Sequence, residues 1–231
     1  MIFAAFRSEW VKLRRRTLSL TTSGALAALA ALFTALTFAR AGTHGERGGF
    51  VTLPELAQPN GLIHGLNRAA LLLGVVAFGV AAAQIASEYG LGTLRQLLVR
   101  QPRRMVLLAG KYLAVLTFLG VAVVAAAIGG GIAAVGMAHV RGITTSAWFS
   151  STGLADIGRA VANIVLSVVG YTTLGFVVGI VLRSSVAAVI VGLVYLLPLE
   201  NIFSAVVSGA DRWLPGQLLI PIAQGGNSSA S

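Results

Sequence analysis

The residues best suited to binding a partner lie in the stretch SEYGLGTLRQLLVRQPRR, from Ser87 to Arg104. It holds four arginines and one glutamate, and uncharged apolar sequence borders it on both sides. Leucines recur at helical spacing between positions 91 and 98, which predicts a short amphipathic helix that Pro102 ends. An ordinary connector needs only about four to six residues. We therefore predict that the arginines meet a soluble partner; a plain basic connector is the alternative.

The composition assigns most of the chain to lipid. Hydrophobic residues make up 56% of the 231 and charged residues only 10%, whereas a soluble domain carries about 25% charged residues. Several charge-free runs approach or exceed the roughly 20 residues that a spanning helix needs. The sequence predicts an all-α polytopic membrane protein with five spanning helices, at 17–39, 69–87, 105–138, 160–182 and 184–200. The fifth is short, and it spans if Arg183 and Glu200 extend to opposite interfaces.

The distribution of cations predicts the orientation. With the N-terminus in the cytoplasm, eleven Lys and Arg residues lie inside and six outside, as the positive-inside rule requires. We expect a multi-pass protein of the cell membrane, in which the net charge of +10 reflects orientation and contact with membrane lipid, not nucleic acid. Residues 1–41 also resemble a secretory signal, but the apolar run exceeds the roughly 7–15 residues of a signal core. The first span is therefore expected to be retained.

Residues 1–16, MIFAAFRSEWVKLRRR, predict a helix in the membrane interface. Apolar residues recur at spacings of three and four, at Phe3, Phe6, Trp10 and Leu13. Such a stripe turns aromatic rings toward lipid and leaves cations, Arg14 and Arg15 among them, near lipid phosphate. A basic anchor that only fixes orientation is the alternative.

Residues 201–224 form two apolar pieces that are each too short to cross a membrane, with Asp211 and Arg212 between them. This pattern predicts a re-entrant hairpin that enters from the outer face, which is tolerated where protein or a cavity surrounds it. Gly175 and Gly179 have the small-xxx-small spacing of close helix packing, within the chain or across a dimer.

The sequence contains no G-x-x-x-x-G-K-[ST] phosphate-binding loop, no H-E-x-x-H and no G-x-S-x-G. His44 and His64 lack an accompanying carboxylate cluster, so no metal site is predicted. The predicted spans carry no charge at their centres, which argues against a proton-coupled pump. An intramembrane enzyme would need His139, Asp156 and Glu200 to converge. The polar residues expected at membrane depth are typical of interhelical hydrogen bonds, and they would line a substrate path if one exists: Gln84, Asn163, Tyr171, Thr172 and Tyr195.

The order of these features resembles that of the permease subunits of ABC-2-type ATP-binding-cassette exporters. The most specific likeness is E-x-x-x-G-T-L-R-x-L-L-x-x-x-P-x-R, which stands here as Glu88, Gly92, Thr93, Leu94, Arg95, Leu97, Leu98, Pro102 and Arg104, followed by Gly110 and Lys111. The stretch RWLPGQLL, Arg212 to Leu219, also resembles the outer re-entrant region before such a permease's last span.

This resemblance implies that residues 88–102 are a coupling helix that docks on a separate ATPase subunit, and that residues 1–16 are an elbow helix. Two ATPase copies and a second permease protomer, identical or different, would complete the transporter. ATP and magnesium would bind to the ATPase, and this chain would bind no cofactor and catalyse no reaction. Such permeases have six spans, so a sixth is expected beyond residue 231. The alternative is a non-transporting assembly or regulatory subunit whose basic helix binds lipid or another partner.

Overall fold

Helix accounts for nearly all of the chain that the computed structural model describes, which is residues 2–14, 16–42, 51–90, 104–207 and 209–226. Within these ranges there is no strand, and one isolated bridge joins Gly42 to Thr52. The helices are α1 (Ile2–Leu13), α2 (Arg16–Ala39), α3 (Leu53–Leu56), α4 (His64–Gly90), α5 (Arg104–Arg141), α6 (Ser151–Leu182), α7 (Ser185–Val194), α8 (Glu200–Val206) and α9 (Pro215–Ala223).

Five helical segments among the described residues are long and apolar enough to cross a membrane: Ser19–Ala39, Gly61–Gly90, Met105–Arg141, Ser151–Leu182 and Ser185–Val206. This confirms the prediction of an all-α chain with five such helices. The second and fourth begin earlier than predicted, because charge-free runs mark only the apolar part of a helix. The helical backbone continues through charged residues such as Arg68 and Arg159.

The fifth apolar helix does not end at Glu200, as the sequence suggested. Pro198 has no N–H group to donate, and a π-helical turn, Tyr195–Leu199, carries the helix past it from α7 into α8. Glu200 is buried by other parts of the protein, since only 1% of the residue is exposed. Its carboxylate accepts hydrogen bonds of 3.1 Å from the backbone N–H groups of Gly216 and Gln217, at the N-terminus of α9. The burial of this carboxylate, at the end of the predicted span 184–200, was not expected from the sequence.

The contacts divide the chain into two compact units. The first comprises Met1–Ser19, Leu72–Gly120 and Leu166–Pro221. Here α6 packs directly on α4: a Cβ atom added to Gly175 would lie 2.3 Å from the carbonyl oxygen of Phe78, and one added to Gly179 would lie 2.7 Å from that of Ala82. The predicted close packing of these glycines thus occurs within the chain, where small residues allow two helix backbones to approach.

The second unit comprises Leu20–Leu71, Val121–Val165 and Ile222–Ser231, and Trp148 lies at the centre of its core. The Trp148 ring is fully buried and meets the ring of Phe38 edge to face, with centroids 6.1 Å apart. Its Nε1–H donates to the carbonyl oxygen of Leu56 at 2.9 Å, which satisfies an acceptor at the end of α3. The indole therefore joins α2, α3 and the turn before α6.

Replacing Trp148 with Phe should destabilise the protein by about 1–3 kcal/mol, because it leaves the buried carbonyl of Leu56 without its donor and opens a cavity. The neighbouring Phe149 is 59% exposed, and Phe149→Leu should change stability by less than about 0.5 kcal/mol. Unfolding of the purified protein in detergent micelles measures both. Equal losses for the two variants would contradict the central position of Trp148.

Candidate functional site: a charge cluster flanking residues 91 to 103

Three helices of the first unit bring four charged side chains together. Glu9 and Lys12 come from α1, Glu88 lies near the end of α4, and Lys111 lies near the start of α5. We call these four residues the charge cluster. In sequence, Glu88 and Lys111 stand on either side of residues 91–103. The cluster therefore joins α4, whose end contains the first residues of the predicted coupling segment 88–102, to α5, which follows that segment.

Lys111 lies at the centre of the charge cluster. Its Nζ is 2.7 Å from Oε1 of Glu9 and 2.6 Å from the carboxylate of Glu88. The side chain of Lys111 is only 4% exposed. Lys12 is 53% exposed, and its Nζ lies 2.9 Å from Glu9 and 3.5 Å from Glu88. One buried ammonium group is thus shared by two carboxylates, and a second covers the pair from the solvent side.

The sequence of α1 explains why it packs here. Ala5, Glu9 and Leu13 are four residues apart, so they lie on one face of the helix. Ala5 and Leu13 are buried on either side of the ion pair. Gly110 permits this close approach, because a Cβ atom there would lie 2.6 Å from Cβ of Ala5. The adjacent residues Gly110 and Lys111 therefore act together: the first lets α1 approach and the second pairs with it.

The aromatic residues of α1 lie on a neighbouring face. The rings of Phe3 and Phe6 stack with centroids 6.4 Å apart, and those of Phe6 and Trp10 with centroids 5.9 Å apart. Leu13, which the spacing assigned to the same stripe, is buried with Ala5 instead. Arg14 is exposed, and Arg15 lies outside the described residues. Binding of this aromatic face to lipid remains a prediction.

The charges stabilise one another, and they shift the pKa values of Glu9 and Lys12 in α1 accordingly. Burial would raise the pKa of Glu9, but hydrogen bonds from Lys111 and Lys12 outweigh it, so the pKa lies below its ordinary value of 4.5. Partial burial would lower the pKa of Lys12, but the hydrogen bond to Glu9 and the charge of Glu88 raise it above 10.5. Between these values both side chains are charged in the folded protein.

A cation–π contact attaches the end of α4 to another part of the first unit. The guanidinium carbon of Arg183 lies 5.7 Å from the ring centroid of Tyr89. Arg183 lies in the tight turn between α6 and α7, where its backbone has a positive φ of 54°. Nearby, the hydroxyls of Tyr112 and Thr173 are hydrogen-bonded at 2.7 Å, which joins α5 to α6. The helices that border residues 91–103 therefore contact α1, α6 and the α6–α7 turn.

The remaining sequence-predicted residues are placed as follows. Glu88 belongs to the charge cluster and Arg104 begins α5, while Gly92, Thr93, Leu94, Arg95, Leu97, Leu98 and Pro102 lie outside the described residues. Of the polar residues suggested for a substrate path, Tyr171 and Thr172 are buried in the first unit and Tyr195 is partly exposed there. The Tyr171 hydroxyl donates to the carbonyl oxygen of Gly216 at 3.4 Å. Asn163 belongs to the second unit, where it lines a cleft.

The sequence did not reveal two features of the structure. One is the ion pair of Glu9 with the buried Lys111, which were counted only as cytoplasmic charges. The other is the burial of Glu200, which was expected at the outer interface. The spacing of Ala5, Glu9 and Leu13 holds a signal for the first, because a carboxylate between two apolar residues of one helix face needs a partner. No local signal marks Glu200, since its hydrogen-bond donors are backbone groups at positions 216 and 217.

The five helices that are long and apolar enough to cross a membrane indicate a multi-pass helical membrane protein. The chain belongs to the family described as Protein of unknown function (DUF2705), whose model matches residues 27–229. A search of curated proteins and a search of solved structures gave no match. The matched range includes Glu88 and Lys111, whereas α1 lies before it.

Replacing Lys111 with Met should destabilise the protein by about 3–5 kcal/mol, because it leaves two partly buried carboxylates without their shared cation. Lys12→Met changes the same charge at an exposed position and should cost no more than about 1 kcal/mol. Thermal unfolding in detergent measures the difference, and limited proteolysis within α1 reports whether that helix detaches. If Lys12→Met proves as damaging as Lys111→Met, Lys111 is not the centre of the cluster.

Acid should detach α1 through Glu9. Since its folded pKa is below 4.5, its contribution to stability is present above pH 4.5 and is lost as the pH falls through the folded value. Lys12 has the opposite sign: its contribution is present below pH 10.5 and is lost at more alkaline pH. A series of melting temperatures against pH should show the acid loss in the wild type and a smaller one in Glu9→Gln. Glu55→Gln, in the second unit, should keep the wild-type slope; an unchanged slope in Glu9→Gln would contradict the assignment.

Proposed function

We propose that this protein is the permease subunit of an ATP-driven exporter of the ABC-2 type, with its N-terminus in the cytoplasm of the cell. A separate ATPase would dock on the coupling segment, residues 88–102, and would bind the ATP and magnesium. Two such ATPase subunits and a second permease protomer would complete the assembly. The observation that carries the proposal is the charge cluster, which joins the helices on both sides of the docking segment to α1.

The cluster supports this proposal because it makes a mechanical connection. A displacement of the docking segment would move the end of α4 and the start of α5, because the segment connects them. Lys111 binds both Glu88 and Glu9, so α4, α5 and α1 would move together. The contact of Arg183 with Tyr89 would pass the movement to the turn between α6 and α7. The chain itself would perform no catalysis and would convert movement of the ATPase into movement of the spans.

We place the proposed re-entrant hairpin over residues 201–224. Its first part, α8, is the end of the fifth apolar helix, Ser185–Val206, and only α9, at 9 residues, is a separate helix too short to cross a bilayer. The carboxylate of Glu200 holds the N-terminus of α9 through two backbone N–H groups. This internal bonding supports the proposal, since backbone groups at membrane depth must be satisfied by protein.

A second candidate is a non-transporting membrane subunit that regulates or assembles a partner. The stacked rings of Phe3, Phe6 and Trp10, beside the exposed Arg14, favour it, because an aromatic and basic helix binds anionic lipid without any ATPase. This candidate predicts no nucleotide-dependent change in conformation. The two candidates differ in what co-purifies with the chain.

Tagged protein purified in mild detergent should carry an ATP-binding-cassette ATPase with it, identified by mass spectrometry. Arg95→Glu should remove that ATPase, because it reverses a charge in the segment proposed to contact it. Arg40→Glu reverses the same charge at the end of α2, on an exposed residue outside the docking segment, and should leave the ATPase bound.

The two variants separate docking from folding when each is also checked for a single symmetric peak in size-exclusion chromatography. Loss of the ATPase in both variants would indicate a general effect of charge. Its absence from intact wild-type protein would overturn the exporter proposal and favour the lipid-binding subunit.

A further inference from the structure

The second unit contains a cleft of about 310 Å³. Its walls are the residues just before and in the first turn of α4, the first half of α6, and the residues at the end of α9. Its lining is mainly polar, with four carboxamides and one ion pair: Asn60, Asn67, Asn163, Gln224, Asp156 and Arg159. At roughly 30 Å³ for each water molecule, the space would hold about ten waters or one small polar molecule.

Two acceptors in the lining have no partner within the described part of the chain. These are the side-chain carbonyl oxygens of Asn60 and Asn67, both buried. Asn60 occupies the capping position of the turn Gly61–Ile63, yet its side chain makes no capping hydrogen bond there. Buried carbonyl oxygens in native proteins nearly always accept a hydrogen bond. A ligand that suits this cleft therefore carries N–H or O–H donors.

The ion pair in the wall of the cleft favours a ligand that carries both a positive and a negative group. Oδ1 of Asp156 accepts from a terminal nitrogen of Arg159 at 2.6 Å. The Arg159 side chain is 71% exposed, and a guanidinium has five N–H donors, so most of them stay available to an anion. The cleft thus offers a carboxylate and unpaired carbonyl oxygens for a positive group, beside a guanidinium for a negative one.

We infer that this cleft binds a zwitterion in which an ammonium group that carries N–H donors stands next to an anionic group. The head group of phosphatidylethanolamine has this chemistry, and so does free phosphoethanolamine. Lipid is a candidate source, because the lining comes from the start of one membrane-length helix, Gly61–Gly90, and from the first half of another, Ser151–Leu182, and lipid head groups lie at the ends of spanning helices. The inference does not depend on the proposed transport function.

Native mass spectrometry of the delipidated protein tests this with two lipids of identical acyl chains. Phosphatidylcholine has the same phosphate and the same net charge as phosphatidylethanolamine, but methyl groups replace its N–H donors. A site whose buried groups need donors rejects the analogue that lacks them. We expect phosphatidylethanolamine to bind at least about tenfold more tightly. Equal binding of the two lipids to the wild type would overturn the inference.

Variants of the lining residues test whether the positive group of the ligand binds beside Asn60 and Asn67. Asn60→Asp adds a negative charge to the cleft and should tighten binding of phosphatidylethanolamine, whereas Asn67→Leu removes an acceptor and should weaken it. Gln58→Glu adds the same charge two residues away on an exposed side chain outside the lining, and should change nothing. Because Asn67→Leu could impair folding, Asn60→Asp decides the matter: unchanged binding in this variant contradicts the inference.

A second experiment, with a water-soluble compound, shows whether the ligand is the whole lipid or its free head group. Phosphoethanolamine is titrated into the detergent-solubilised protein while its melting temperature is followed. A rise that Asn60→Asp enhances would show that the head group alone suffices. Selective lipid binding without such a rise would assign the site to the lipid. Both results support the zwitterion site, and failure of the lipid and of the soluble compound together overturns it.

Discussion

The arrangement of the first unit depends on one buried ammonium group, that of Lys111, between the carboxylates of Glu9 and Glu88. An unpaired charge in the interior of a protein costs several kcal/mol, even after relaxation. An arrangement that separates α1 from α4 and α5 would take from Lys111 one of its two carboxylate partners, and one that separates all three helices would incur this cost in full. The pair adds little net stability relative to an apolar core of the same shape, but it penalises the alternatives strongly. It therefore fixes which helix ends meet around residues 91–103.

Glu200 is also a buried charged group, but a different kind of partner stabilises it. No lysine or arginine among the described residues pairs with it; two backbone N–H groups at the start of α9 bind its carboxylate. The N-terminus of a helix carries a partial positive charge and unsatisfied donors, so it can replace a counter-ion. The two buried charges thus have complementary effects. Lys111 joins three helices, and Glu200 holds a short helix that cannot cross a membrane.

The apolar helices themselves were predictable, because the requirement that produces them is local. A helix that crosses lipid must be apolar over about 20 consecutive residues, and charge-free runs show this directly. The ends were less predictable. The helix from Ser151 continues through Asp156 and Arg159, and Pro198 is accommodated in a π-helical turn. Charge and proline content mark where a helix meets water or bends, but they do not mark where its backbone ends.

Taken alone, the sequence determined the all-helical class, the five apolar helices, and the two basic stretches where contact with a partner or with lipid is expected. These follow from composition and periodicity, which depend only on neighbouring residues. Only the tertiary structure decided that Glu9 pairs with the buried Lys111, 102 positions away, that Glu200 caps α9, and that Asn60 and Asn67 face one cleft with Asp156. The physical reason is that the free energy of a charge or a carboxamide depends on which distant groups surround it, and packing alone brings those groups together.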